Sequence, residues 1–212
     1  MKKKIRLDQN GITLIELLVA FVICGIVVAG IYRVFVAQTR AYTVQEQVVE
    51  VQQNIRTAME ILLRDVRMAG YDSDGPTSKI NIANPLTPSD HSITLNYEYD
   101  DTHRYEVIYS LVNGDLRRQL TVFPDVGAST STTDTLLENV DALNLNYGVS
   151  VNDSGALDRW AINVADIKGN EKVVAIRVVL TAKPDQTNPD VSKMVSPRTL
   201  TSAVTLRNQC LR

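Results

Sequence analysis

At 212 residues, 44% of them hydrophobic, the chain is long enough for one ordinary domain with an appendage and apolar enough to bury a core, which excludes wholesale disorder. Its formal charge of −2 hides an asymmetry. Residues 1–11 carry Lys2, Lys3, Lys4 and Arg6 against Asp8, a net +3, whereas everything after Gly11 holds 18 basic and 23 acidic side chains, a net −5. A body of that sign exerts no global attraction on DNA or RNA, so no nucleic-acid binding is expected.

The basic start runs straight into Ile12–Ile31, twenty residues in which only Thr13 and Glu16 have polar side chains. At about 1.5 Å per residue, a helix of that length spans roughly the 30 Å hydrocarbon core of a bilayer. Lys and Arg on its amino side predict a cytoplasmic N-terminus and an exported remainder. Val173–Leu180 is the other apolar stretch, but it is short and Arg177 interrupts it. Three readings compete. A secretory signal would use Val27-Val28-Ala29 as a weak cleavage site after the run. A signal anchor would stay uncut. A third kind of precursor is cut before the run. Glu16 favours the third, because a carboxylate in a membrane helix costs about 2.5–3.5 kcal/mol on insertion scales and is seldom there without a purpose.

The string Gly11-Ile12-Thr13-Leu14-Ile15-Glu16-Leu17-Leu18-Val19-Ala20 closely resembles the processing site of type IV prepilins and type II secretion pseudopilins. The resemblance implies that prepilin peptidase cuts after Gly11 and methylates the new amino terminus at Ile12. Glu16 then becomes the fifth mature residue and acts in subunit assembly. Ile12 stands where phenylalanine is usual in the family. The physics is compatible: the cut creates an amine about 6–7 Å along the helix from the Glu16 carboxylate. Between staggered neighbours, the carboxylate of one chain can meet the amine of the next, which offsets the cost of each charge in lipid.

Arg40 to Ala69 reads as a continuation of the same helix. Val44, Val48, Val51, Ile55, Ala58, Leu62, Val66 and Ala69 recur at steps of four or three and form one apolar stripe, read as head-domain core. The chain has no proline before Pro76, and Gly70 suits a helix C-cap. Gln53-Asn54-Ile55-Arg56 and Leu63-Arg64-Asp65-Val66-Arg67-Met68-Ala69-Gly70-Tyr71 resemble the PilW class of minor pilins, and J-type minor pseudopilins share part of the pattern. A fainter likeness extends to Val140–Tyr147 and Leu206-Arg207-Asn208. Arg56, Arg64 and Arg67 have Glu60 and Asp65 as pairing candidates at helical spacing, and the arginines read as a solvated helix face or as a partner-docking surface.

Beyond Tyr71, Asp72-Ser73-Asp74-Gly75-Pro76 is a turn cluster leading into a connector to about Asp90. Ile93, Leu95, Tyr97 and Tyr99 alternate, as do Tyr105, Val107, Tyr109 and Leu111, which predicts half-buried strands. Asn113-Gly114 marks a hairpin into a third strand through Leu120 and Val122. A Ser/Thr-rich loop is expected over Ala128–Asp134. Further strands are expected at Leu143–Tyr147, Val173–Ala182 and Thr199–Leu206, with loops at Asn152–Gly155 and Pro184–Pro197. The expected fold is α+β and type IV pilin-like: one long N-terminal helix, membrane-spanning in its first half, packed on an antiparallel β-sheet head arranged as a meander.

The head shows no catalytic constellation, phosphate loop or dinucleotide fingerprint, so no enzyme activity and no cofactor are expected. His91 and His103 are the only histidines and have no cysteine or carboxylate cluster at ligand spacing. Asp72-Ser73-Asp74-Gly75 echoes a calcium loop but lacks its closing glutamate, which leaves no metal site. Trp160 and the tyrosines read mainly as packing residues. Cys24 in the membrane helix and Cys210 near the C-terminus are too far apart in this topology to pair.

The divisions expected are a leader at 1–11, a membrane and filament-core helix at 12–39, an amphipathic continuation at 40–71 and a periplasmic head at 72–212. The resemblance implies a minor pilin whose partners are other pilins and minor pilins, prepilin peptidase, the inner-membrane assembly platform and, before assembly, membrane lipid. It would be a single-pass inner-membrane protein that passes into a pilus on the cell surface. A J-type pseudopilin of type II secretion or a competence-pilus subunit stands as the alternative. From a different class, an uncleaved, signal-anchored periplasmic binding or adhesion module stands beside them.

Overall fold

A computed structural model of the chain describes residues 12–72, 82, 84–151, 155–187 and 189–210. Helix α1 covers Leu14–Met68. The chain divides into two compact units, Met1–Gln45 and Glu46–Arg212. The first contains the apolar part of α1, whose side chains are exposed at every position from Ile12 to Phe35. It is the one candidate membrane-crossing helix among the described residues, by length and composition.

The second unit packs the rest of α1 against two antiparallel sheets. Sheet A has the order β1-β2-β3-β4-β5, with β1 at Leu86–Pro88, β2 at Ser92–Asp100, β3 at His103–Val112, β4 at Asp115–Pro124 and β5 at Thr130–Leu137. Sheet B has the order β7-β6-β8-β9, with β6 at Val140–Ser150, β7 at Arg159–Ala161, β8 at Lys172–Ala182 and β9 at Arg198–Thr205. The described residues add two short α-helices, α2 at Pro189–Met194 and α3 at Arg207–Cys210, and a single 3-10 turn at Val164–Asp166.

The expected single meander is therefore two sheets. Sheet A is the meander, and β6 begins a second sheet after a turn in which Asn139 takes a φ of 55°. The Ser/Thr-rich segment expected as a loop is strand β5, paired with β4 from Leu116↔Leu137 to Val122↔Thr130. Its residues Thr130–Thr135 are exposed on both faces, so they carry no apolar alternation, and threonine's β-branched preference for extended backbone is the remaining signal. The expected loop at Pro184–Pro197 contains α2. Residues 152–154 of the other expected loop and 73–81 of the connector lie outside the described residues.

The core forms where the helix stripe meets both sheets. Ile55, Ala58, Leu62 and Val66 of α1 share one buried cluster with Ile93, Leu95, Val107 and Tyr109 of sheet A and with Leu145, Tyr147, Ile176 and Leu180 of sheet B. Complete burial of a side chain such as Leu62 contributes about 1.5–3 kcal/mol. Val44 and Val48, at the upstream end of the stripe, are half-buried.

Asp65, a pairing candidate for the helix arginines, also finds partners across the core. It is buried, and its Oδ2 accepts hydrogen bonds from Tyr109 Oη at 2.7 Å and Arg118 Nε at 2.8 Å. Its other oxygen lies 3.6 Å from Arg64 Nε. The carboxylate thus ties the last turns of α1 to β3 and β4.

The helix stops as its sequence requires. Gly70 takes a φ of 73°, a left-handed conformation that a side chain would strain, and its N–H donates to Asn96 O at 2.8 Å. The C-terminal segment closes the same end: Leu206 is fully buried, and Asn208 Nδ2 donates to Ala69 O at 3.2 Å. Asn113 and Gly114 both have positive φ, 54° and 84°, as a type I′ hairpin between β3 and β4 demands.

Candidate functional site: the start of the long helix

Helix α1 starts at Leu14 because Thr13 caps it. Glu16 Oε2 accepts from the Thr13 backbone N–H and from Thr13 Oγ1, both at 2.8 Å. In return, Thr13 Oγ1 accepts from the Glu16 backbone N–H at 3.4 Å. This reciprocal arrangement is a capping box, which satisfies backbone donors that an uncapped helix start leaves orphaned. Thr13-Leu14-Ile15-Glu16 carries its sequence signature, threonine three residues before glutamate, a signal that the prepilin resemblance overshadowed. The box also places a negative charge in the first turn, where the helix dipole favours it.

The surroundings of that charge are apolar. Ile15, Val19, Ala20 and Ile23 line a shallow groove with Glu16 on the surface of the helix. Ile12 is 79% exposed, and no element among the described residues packs over it. Gly11, the residue expected before the cut, lies outside the described residues. Thus Ile12 and Glu16 stand at the start of the exposed apolar part of α1, and the carboxylate has hydrogen-bond partners from its own chain.

Other candidates dissolve into packing or surface chemistry. His103 Nδ1 lies 2.8 Å from Asp100 Oδ1 at the β2–β3 turn. The hydrogen bond to His103, then those from Thr102, hold the Asp100 carboxyl down at about 2. His91 is exposed, and among the described residues no group of three His, Cys, Asp or Glu could hold a metal. The calcium-like sequence lies mostly within the undescribed 73–81. Tyr109 and Tyr147 are fully buried, while Tyr99 is exposed and stacks on Tyr105 with ring centroids 4.5 Å apart. Trp160 lies under the Arg177 guanidinium at 4.2 Å. Cys24 is a free, exposed thiol on the apolar helix.

Two family models match the chain. The prokaryotic N-terminal methylation motif matches residues 6–32, the segment containing Gly11, Ile12 and Glu16. The type IV pilus-assembly protein W family matches residues 108–209, from within β3 into α3. No curated protein sequence matches the chain. The second match falls on the head, where the likeness read from the residues was faint, and includes Arg118 and the helix-capping Asn208. The second family is one of structural pilus subunits, and the first motif is that of prepilin-type chains methylated at the N-terminus. With an apolar helix fit to anchor it in a membrane, the chain is a type IV pilin-like protein of the PilW class, a minor pilin of type IV pili.

Proposed function

We propose that prepilin peptidase cuts this chain between Gly11 and Ile12 and methylates the Ile12 amine, and that Glu16 then guides the mature subunit into the filament. The observation that carries this reading is an ionisable side chain, hydrogen-bonded by Thr13, in the apolar first part of α1, whose side chains are exposed from Ile12 to Phe35. An apolar helical segment exposed on all sides, as α1 is from Ile12 to Ile31, needs an apolar solvent, which is lipid before assembly and neighbouring helices afterwards. In lipid, the Thr13 hydroxyl and amide partly satisfy the carboxylate. At the assembly platform, the Ile12 amine of an adjacent subunit supplies a full counter-charge and fixes the docking register.

On this reading Met1–Gly11 stays in the cytoplasm, residues 12–39 cross the inner membrane, 40–71 continue the helix and 72–212 form a periplasmic head. The mature subunit is then drawn laterally into a pilus at the cell surface. The head contributes contacts rather than chemistry, and no enzymatic role is assigned to it. The test is filament recovery by shearing, with blots of the sheared and membrane fractions. Glu16→Leu should be processed and inserted normally yet be depleted from sheared filaments. Wild-type levels of the variant in filaments would show that the carboxylate does not guide assembly.

A further inference from the structure

The four sheet edges of the head are protected unequally. A bare edge strand offers its outward N–H and C=O groups to any extended chain, so proteins shorten, charge or bulge their edges. Edge β1 has three residues and ends in Pro88, and edge β7 has three residues. Edge β5 has eight residues but carries Asp134 and a register shift at Leu116/Arg117. Edge β9 also has eight residues, with no register shift against β8, no proline and no charge after Arg198.

The open groups on β9 can be named. Leu206 N donates to Val174 O at 2.8 Å, in the same register that pairs Ile176 with Val204 and Leu180 with Leu200. Antiparallel pairs alternate, so even-numbered β9 residues bond to β8. The N–H and C=O groups of Thr199, Thr201 and Ala203 therefore point away from it, and all three residues are exposed. Among the described residues, no backbone bond reaches them from the outer side.

We infer that β9 is a docking edge that accepts strand β5 of a second copy of this chain, and this inference rests on the minor-pilin reading. The two long edges are equal in length and opposite in charge. Arg198 lies at the start of β9 with exposed Lys193 and Arg207 on either side in sequence, whereas β5 carries Asp134 with exposed Asp125 and Glu138 flanking it. Main-chain bonds supply the attraction, and the Arg198–Asp134 pair selects the register. Set antiparallel with those two opposite each other, Thr199 faces Thr133 and Thr201 faces Ser131. A β5-to-β9 contact is heterologous, so each docked pair leaves one β9 and one β5 edge free for further subunits, which a filament contact needs. Membrane anchoring holds heads side by side, so a weak edge contact suffices.

The test uses full-length chains carrying two different tags, co-expressed in membranes of pilus-forming cells, with Cys24 and Cys210 changed to serine. One copy carries Thr133→Cys and the other Thr199→Cys. The expected result is an oxidative cross-link between the two tags, with little between two Thr133→Cys or two Thr199→Cys copies. Arg198→Glu in the Thr199→Cys copy should lower the cross-linked fraction roughly tenfold by placing like charges opposite each other. Asp134→Lys in the other copy should restore it, which a folding defect would not allow. No cross-link, a cross-link blind to the charge reversal, or one formed only with a different pilin overturns the inference. If such chains still enter sheared filaments, the minor-pilin reading stands while this one falls.

Discussion

Asp65 on the long helix and Arg118 on β4 face each other at 2.8 Å in the interior of the head, and Tyr109 donates a 2.7 Å hydrogen bond to the same carboxylate oxygen. The Asp65 side chain is only 3% exposed and that of Arg118 only 13%, so neither charge can turn to water without opening the helix–sheet contact. Removing one partner of a buried pair leaves the other uncompensated, at a cost of about 3–5 kcal/mol. Asp65→Ala should destabilise the head by that amount in urea unfolding of the full chain in detergent. Tyr109→Phe removes one bond to a charged acceptor and should cost about 1.5–3 kcal/mol. Equal, negligible losses in both variants would show that the network does not hold the helix.

The tyrosines give the head an alkaline limit. Burial above all holds Tyr97 and Tyr147 up to about 12, and burial followed by the Asp65 carboxylate pushes Tyr109 up as well. In the unfolded chain these phenols ionise near the usual value of about 10. The unfolded state therefore binds fewer protons above that pH, and unfolding becomes easier. The stabilising effect is complete below about pH 10 and is lost as pH rises towards about 12, by about 1.4 kcal/mol per pH unit for each tyrosine involved. Urea midpoints at pH 9 and pH 11 should differ accordingly, and Tyr97→Phe should flatten the fall. A midpoint unchanged at pH 11 would contradict the burial of these groups.

Gly148 on β6 has no room for a side chain. An added Cβ would lie 2.5 Å from Leu157 Cδ1, 2.9 Å from Ala175 Cβ and 3.4 Å from Trp160 Cζ3. The end of Leu157 can swing away, but the Ala175 Cβ is fixed to the neighbouring strand. Gly148→Ala should cost about 1–3 kcal/mol, as overpacking does. The fluorescence of Trp160, the only tryptophan, should report the local shift. Leu157→Ala in the same chain should recover part of the loss.

The capping box makes a separable prediction. Thr13→Val removes the hydroxyl that both donates to Glu16 and accepts from its amide, so the first turn of α1 should fray. Amide exchange at Leu14–Glu16 in micelles should quicken, while the urea midpoint of the head stays at the wild-type value. Unchanged exchange at those amides would mean that the cap does not hold the helix start.

Most of this architecture was legible because burial leaves a period in the sequence. The α1 stripe and the alternation through Ile93, Leu95 and Tyr97 each report a face turned to the core, and Asn113-Gly114 reports a turn that needs positive φ. Strand β5 was illegible for the converse reason: neither of its faces meets the core over Thr130–Thr135, so no alternation marks it. The buried partners of Asp65 were illegible because they lie 44 and 53 residues away in sequence, whereas its contact with Arg64 is local. The second sheet was hidden because strand patterns give existence and face but not which strands share a sheet. At the helix start, Ile12 and Glu16 stood out in the sequence, whereas the role of Thr13 required geometry.

Mass spectrometry of the chain purified from a pilus-forming cell with active prepilin peptidase tests the central claim most directly. The mature protein should begin at Ile12 and carry one added methyl group on the Ile12 amine. Gly11→Leu should leave the full-length precursor, because a side chain would fill the place where the peptidase accepts none. A wild-type chain that retains Met1–Gly11, or that begins after Ala29, would contradict the account.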